Sequence, residues 1–180
     1  MIIDFLFSKE GLRVAQVDVS MTGMRMGRGR SGFVPQGCDN LTGAVHLALA
    51  DLSAALIRPE IIDQLLGGVS GIARPEISLV NGEEENSVRV VGSVETMGVR
   101  IPIRASTRVS VSNNRLVLAA TQVEGLPILG RLPVQLFDIV LPLTLPAGLT
   151  FTGVSTAPGQ VIVNFEGKDV QFAPAAEEPD

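Results

Sequence analysis

The stretch VRIPIRASTRVSV, residues 99–111, alternates between apolar and polar side chains along its whole length. One face carries Val99, Ile101, Ile103, Ala105, Thr107, Val109 and Val111. The other carries Arg100, Pro102, Arg104, Ser106, Arg108 and Ser110. This alternation predicts a β-strand with one buried and one solvated face. At ~3.3 Å per residue the strand spans about 43 Å, and it is much longer than the usual ~5–6 residues.

The segments around this strand predict a β-meander. Strands are expected at Ile77–Val80, Val88–Glu95 and Arg115–Gln122. The turns between them are expected at Asn81-Gly82, Met97-Gly98 and Asn113-Asn114. Asparagine suits such turns because it tolerates a positive φ. Long strands rich in Val and Ile tend to curl, so we predict a half-barrel.

Further strands are expected towards both ends of the chain. Residues 12–26 alternate and predict a strand with one solvated face, followed by a flexible basic loop at Gly27–Gly32. Side chains alternate between two faces again over Leu41–Leu49, and this pattern predicts another strand. Leu149–Phe172 predicts a hairpin that turns at Pro158-Gly159.

Two amphipathic helices are expected between these strands. Asp51 is a good N-cap, and the apolar stripe after it consists of Leu52, Ala55, Leu56, Ile61, Ile62, Leu65 and Leu66. A second stripe consists of Ile128, Leu132, Leu136 and Ile139, before Pro142. The predicted fold class is therefore α+β: a strongly curved antiparallel sheet wraps two amphipathic helices.

Composition limits the function classes. The 180 residues suit a single domain, expected over residues 1–172, with an acidic tail at residues 173–180. A net charge of −5 argues against nucleic acid as a partner. With one His and one Cys, neither a disulfide nor a zinc site is expected, so we predict no metal and no cofactor.

The N-terminal segment Met1–Phe7 is apolar, but Asp4 interrupts it and no cleavage site follows. It is not a signal peptide as it stands. Either the protein is cytoplasmic, or the chain begins downstream of a leader. No run approaches the ~18 apolar residues of a membrane-spanning helix.

A family resemblance is carried by Leu143–Phe172, LTLPAGLTFTGVSTAPGQVIVNFEGKDVQF. This stretch contains Leu-Pro-x-Gly-Leu, a strand, a Gly-containing turn, a second strand and a Gly before the final strand. That order resembles the C-terminal signature of the actinobacterial LmeA family of phospholipid-binding envelope proteins. The helix start at Asp51, the Val88–Val111 hairpin and the Asn113-Asn114 turn fit in the same order. The resemblance covers about residues 12–172, and it implies a leader and a first strand and helix that we do not expect in the chain as given.

This resemblance implies a phospholipid partner, a location in the cell envelope or periplasm, and peripheral membrane contact. It also implies an alternative, because at least one branch of the family is described as a phospholipase.

The apolar side chains expected to line an acyl groove are Leu56, Ile61, Leu65, Val99, Ile101, Ile103, Leu132 and Leu136. The alternative is that the helices fill the concave face completely, which would leave a structural domain. Arg100, Arg104 and Arg108 recur at every fourth residue on one face of the long strand, where they could contact phospholipid headgroups. The alternative for them is a solvated outer face.

Catalytic residues are not identifiable from a motif, because the Gly-x-Ser-x-Gly sequence of α/β-hydrolases is absent. His46 and Asp51 match the His-x4-Asp spacing of glycerolipid acyltransferases, and they are the only candidates for a phospholipase site. The alternative for His46 is an outward-facing side chain next to a helix.

Overall fold

The computed structural model describes residues 14–29, 32–57, 72–96, 98–112, 115–124, 138–143, 145 and 148–172. The described residues form nine strands and one helix. In chain order these are β1 (Gln16–Gly29), β2 (Gly32–Ala48), α1 (Leu49–Leu56), β3 (Ile72–Asn81), β4 (Ser87–Thr96), β5 (Val99–Ser112), β6 (Arg115–Glu124), β7 (Ile139–Pro142), β8 (Leu149–Ala157) and β9 (Gln160–Gln171). The predicted tail at residues 173–180 lies outside the described residues, and the single-domain boundary at residue 172 stays a prediction.

The strands form two antiparallel sheets, and one sheet is strongly curled like a half-barrel. The five-stranded sheet has the order β3-β4-β5-β6-β7, which confirms the predicted meander and places the long strand β5 at its centre. Val88 lies opposite Thr107 and Val90 opposite Ala105, and all four residues are buried. The alternation of β5 therefore directs its apolar face towards the core.

The four-stranded sheet has the order β1-β2-β9-β8. Its central strands, β2 and β9, supply buried side chains at alternate positions: Leu41, Val45, Leu47, Val161, Val163 and Phe165. These side chains join those of the five-stranded sheet in one hydrophobic cluster. Among the described strands, β1 lies at the edge of this sheet and pairs with β2 only.

The helix α1 begins directly where β2 ends. Its N-cap is Ala48, which provides no side-chain cap, and the backbone N–H of Leu49 donates to the carbonyl of Gly159 at 2.9 Å. The prediction of Asp51 as N-cap is therefore wrong: the carbonyl of Gly159, in the turn between β8 and β9, accepts the first N–H of the helix, and the N-cap lies three residues upstream of Asp51. Asp51 lies in the first turn instead. The apolar stripe is confirmed at Leu52, Ala55 and Leu56, which are buried.

The second predicted helix is not confirmed. Most of its stripe, at Ile128, Leu132 and Leu136, lies outside the described residues, as do Ile61 and Leu65 of the first. Its last member, Ile139, begins the strand β7 and pairs with Leu118 of β6. The prediction of a helix that reaches Ile139 is therefore wrong. Ile139 pairs with β6 instead, and the buried Leu141 and Leu143 follow it at every second residue, as in a strand.

The basic segment after β1 also differs from its prediction. Strand pairing continues to Gly29 opposite Gly32, so most of the expected flexible loop belongs to a β-hairpin. The expected solvated and buried faces of β1 are not distinct either, because Val19 and Met21 are exposed. An edge strand has a neighbour on one side only, so its apolar face is less completely covered.

Replacing the buried Thr107 tests how much its hydrogen bond stabilises the core. Thr107 Oγ donates to the Val88 carbonyl at 2.7 Å. We expect Thr107→Val to lower the free energy of unfolding by about 1 kcal/mol, since it leaves that buried carbonyl with one hydrogen bond fewer. Thr121→Val is the matched control, because the Thr121 hydroxyl makes the same kind of bond to Ser106 at an exposed site. Urea titration measures both, and equal changes would contradict the expectation.

Gly43 tests the close packing of β1, β2 and β9. A Cβ atom at Gly43 would lie 2.4 Å from Cζ of Phe165 and 2.5 Å from the backbone oxygen of Asp18. We expect Gly43→Ala to destabilise the fold by about 1–3 kcal/mol, the usual range for overpacking. Gly153→Ala is the control, since nothing lies within 4 Å of that position. Thermal unfolding that shifts equally for both variants would contradict this account.

Candidate functional site

The inner face of β5 changes from buried to exposed along the strand. Val109 and Ala105 are 3% and 7% exposed, Ile103 is half-buried, and Val99 is 60% exposed. These residues alternate with the arginines of the same strand, so they share one face of the sheet. The apolar face of β5 therefore continues well beyond the core that it helps to form.

An open depression adjoins the C-terminal end of α1. It has a volume of about 450 Å³, and it is lined by Ile57, Ile77, Val91 and Gly92 together with the polar Glu76, Ser78 and Ser93. Ile57 is half exposed, and Ile77 packs against the core. The register places Gly92 opposite both Ile77 and Ile103, so the depression borders the exposed part of the inner face. Pockets of ~300–1,000 Å³ are typical of small-molecule ligands.

The predicted acyl-groove residues are only partly described. Val99 and Ile103 lie on the inner face of β5, whereas Leu56, the last residue of α1, is fully buried in the core. In the backbone register Ile101 of β5 pairs with Val94 of β4, but the side chain of Ile101 is not described. Ile61, Leu65, Leu132 and Leu136 lie outside the described residues.

The three predicted headgroup arginines lie on the opposite, outer face of β5, and all are exposed. Arg100 donates to Glu76 Oε1 at 3.1 Å, and Arg108 lies 3.9 Å from Glu84. Arg104 and Arg108 line an open, polar cleft of about 720 Å³ that also contains Arg89. Because acidic side chains line the same cleft, its charges are largely balanced. Only Arg100 is near the strand end where the apolar face is exposed.

His46 bridges three strands and does not bond to Asp51. Its Nε2 lies 3.0 Å from Asp18 Oδ2 on β1, and its Nδ1 lies 3.2 Å from Gln160 Oε1 on β9. The hydrogen bond from Gln16, together with the nearby His46, holds the pKa of Asp18 below its usual 3.8. Both ring nitrogens are thus occupied in contacts that link the sheet, as expected for a structural, outward-facing histidine.

Other reactive groups are few in the described part of the chain. Cys38 is free and fully buried. No cluster of three or more His, Cys, Asp or Glu side chains that could hold a metal ion occurs among the described residues. In the same residues, no helix has the length and apolar character needed to cross a membrane.

Sequence reasoning missed a second exposed apolar surface, on the hairpin formed by β1 and β2. Its large exposed side chains are Val19, Met21, Met24, Met26, Phe33 and Val34. The alternation of Val17, Val19 and Met21 in β1 predicts an apolar face with a solvated face opposite, but Val19 and Met21 are exposed. Burial depends on what covers the face, and the pattern of one strand does not contain that information.

Comparison with known proteins agrees with an apolar surface for lipid. The chain matches the family described as LmeA-like phospholipid-binding over residues 4–166, which is most of its 180 residues. Comparisons with curated proteins and with solved structures found no match. The match includes both sheets and α1, and lipid binding is the property that describes the family. The chain therefore belongs to the LmeA-like phospholipid-binding family.

Proposed function

We propose that this protein holds the acyl chains of a phospholipid against the inner face of the five-stranded sheet. The observation that carries the proposal is the exposure of that face at Val99, at the end of a strand whose other inward side chains form the core. Exposed apolar area of this kind is unfavourable in water at about 25 cal/mol per Å². An acyl chain lying along Val99 and Ile103 would remove it from water.

The depression beside α1 supports this binding mode. Ile57, Ile77 and Val91 contribute apolar surface to the depression, beside the polar Glu76, Ser78 and Ser93. The proposed acyl path runs from Val99 over Ile103 towards this depression and stops at the packed core, where Leu56 is fully buried.

The headgroup is assigned to the Val99 end of β5. Arg100 is adjacent to Val99 and lies near the strand end, so its guanidinium can reach a phosphate at the mouth of the acyl path. Arginine grips phosphate with two parallel hydrogen bonds. Arg104 and Arg108 lie further along the outer face, with the sheet between them and the apolar surface, so their predicted contact with the headgroup stays a prediction.

The proposed place of action is the cell envelope. Phospholipid is concentrated in membranes, and a protein that loads or unloads it has to touch one, so peripheral membrane contact is part of the proposal. Fractionation of the native host would test the location. Recovery of the protein in the cytosolic fraction would contradict it.

Lipid extraction and mass spectrometry of the purified protein test the binding mode. We expect bound phospholipid in the wild type and about tenfold less in Val99→Asp, because a carboxylate beside hydrocarbon is strongly disfavoured. Val80→Asp is the matched control: Val80 is also exposed on this sheet, but it lies opposite Arg89, on the outer face. A wild-type protein without lipid that also fails to take up phospholipid from vesicles would favour a structural domain with a filled core.

The headgroup assignment is tested by comparing two arginines on one strand. Arg100→Gln should weaken binding of an anionic phospholipid about fivefold, since each arginine near an anionic surface contributes ~1 kcal/mol. Arg108→Gln should change it less, although the two side chains are 65% and 67% exposed and each is near a glutamate. Binding is measured with phosphatidylglycerol and, as a control, with neutral diacylglycerol. Equal losses for the two variants would move the headgroup site to the outer cleft.

A further inference from the structure

The β1–β2 hairpin extends beyond the sheet to which it belongs. The strand β9 pairs with β2 only from Gly37 to Ala48, whereas β1 and β2 pair with each other as far as Gly29 and Gly32. The two-stranded ribbon formed by residues 25–29 and 32–36 is therefore supported by the rest of the sheet only at its base. Five residues of strand span about 16 Å.

Exposed hydrophobic side chains are concentrated on this hairpin. Among the described residues, nine large hydrophobic side chains are exposed, and six of them belong to β1 or β2. Phe33 is the most exposed of all at 76%, and Met26 is 51% exposed. A concentration of this kind on one projecting element marks a contact surface, because monomeric soluble proteins rarely expose large apolar patches.

The register combines apolar and basic side chains on one face of the ribbon. Met26 lies opposite Pro35, and Arg28 lies opposite Phe33. Cross-strand partners point to the same face, and so do residues two apart on one strand. Met26, Arg28, Phe33 and Pro35 therefore form one surface, with the arginine near the tip.

The charge of the hairpin differs from that of the whole chain. Between Asp18 and Asp39 the sequence has three arginines and no acidic residue, in a protein whose net charge is −5. One of these arginines, Arg25, closes the base of the ribbon, where its Nη1 lies 2.5 Å from Asp39 Oδ1 and 3.3 Å from Asp169 Oδ1. This ion pair ties β1, β2 and β9 together, so the ribbon is held firmly at its base.

We propose that this ribbon docks the protein onto a membrane that contains anionic phospholipid. Phe33 and Met26 enter the boundary between headgroups and acyl chains, and Arg28 binds phosphate beside them. Insertion of about 5–10 Å is usual for interfacial segments, and the length of the ribbon permits it. This inference deepens the proposed function and rests on it for the class of lipid.

The charge pattern favours a membrane over a second copy of this chain. Two ribbons packed face to face would bring their Arg28 side chains near each other, whereas anionic headgroups attract them. The acidic remainder of the protein is repelled by the same headgroups. Electrostatics therefore orient the molecule with the ribbon towards the lipid.

A single-tryptophan experiment tests the docking surface, because the natural chain has neither Trp nor Tyr. Phe33→Trp reports on the docking face of the ribbon, and Val80→Trp is its control at another exposed site, since Phe33 and Val80 are 76% and 41% exposed. With phosphatidylglycerol–phosphatidylcholine vesicles we expect a blue shift of emission and quenching by brominated acyl chains for Phe33→Trp only. Equal shifts in both variants, or a shift in neither, would overturn the proposal. A blue-shifted emission of Phe33→Trp before lipid is added would also overturn it, because the chain or a second copy would then cover the ribbon.

Loss of docking is measured by vesicle flotation. Phe33→Ser should bind the mixed vesicles about tenfold more weakly, and Arg28→Gln about fivefold more weakly with no change on pure phosphatidylcholine. Phe33→Ser should bind a soluble short-chain phospholipid as the wild type does, because the ribbon is not part of the acyl path. Unchanged flotation of both variants would overturn the docking surface alone. A wild type that floats but carries no lipid would overturn the proposed acyl path alone.

Discussion

The apolar faces of both sheets are longer than the core that they enclose, and the other features of the molecule depend on this constraint. In β5, a strand of 14 residues, the fully buried inward positions are Ala105, Thr107 and Val109. In β2, a strand of 17 residues, the deeply buried positions begin at Gly37. Alternation directs side chains to the same face for as long as a strand continues. The remaining apolar length must meet something other than the protein core, and a hydrocarbon chain or a lipid surface meets that requirement.

The strands were predictable because their signal is local. The alternation of residues 99–111 specifies both a strand and its inward face, and the structure has the same residues facing the core at Ala105 and Val109. The turn at Pro158-Gly159 is local as well, since Gly159 adopts a φ of 76° that favours glycine. The order of β3 to β6 follows from short turns, which join neighbouring antiparallel strands. The meander and its central strand were therefore derivable from the sequence.

The errors concern interactions between distant segments. The apolar residues from Ile128 to Ile139 are spaced by four, four and three positions, which fits a helix. However, Ile139 and Val140 are β-branched and pair with β6. Asp51 has the chemistry of an N-cap, yet Gly159, far away in the sequence, satisfies the start of the helix. The five-residue spacing suggests His46 and Asp51 as a catalytic pair, whereas the side-chain contacts of His46 come from Asp18 and Gln160. In the candidate site, the inward face of β5 was predictable, but its degree of exposure was not.

The two exposed apolar surfaces have different electrostatic surroundings, and this difference separates their proposed roles. Around β5, the arginines of the outer face are near glutamates, so the net field of that region is weak and suits storage of a lipid more than attraction to a membrane. On the hairpin, the acidic side chains Asp18 and Asp39 lie where β1 and β2 belong to the sheet, and Asp39, with Asp169 of β9, contacts Arg25. Beyond that ion pair only positive charge accompanies the apolar side chains. In the proposed scheme, attraction over a distance therefore comes from the hairpin, whereas β5 holds the acyl chain by contact on its inner face and the headgroup through Arg100.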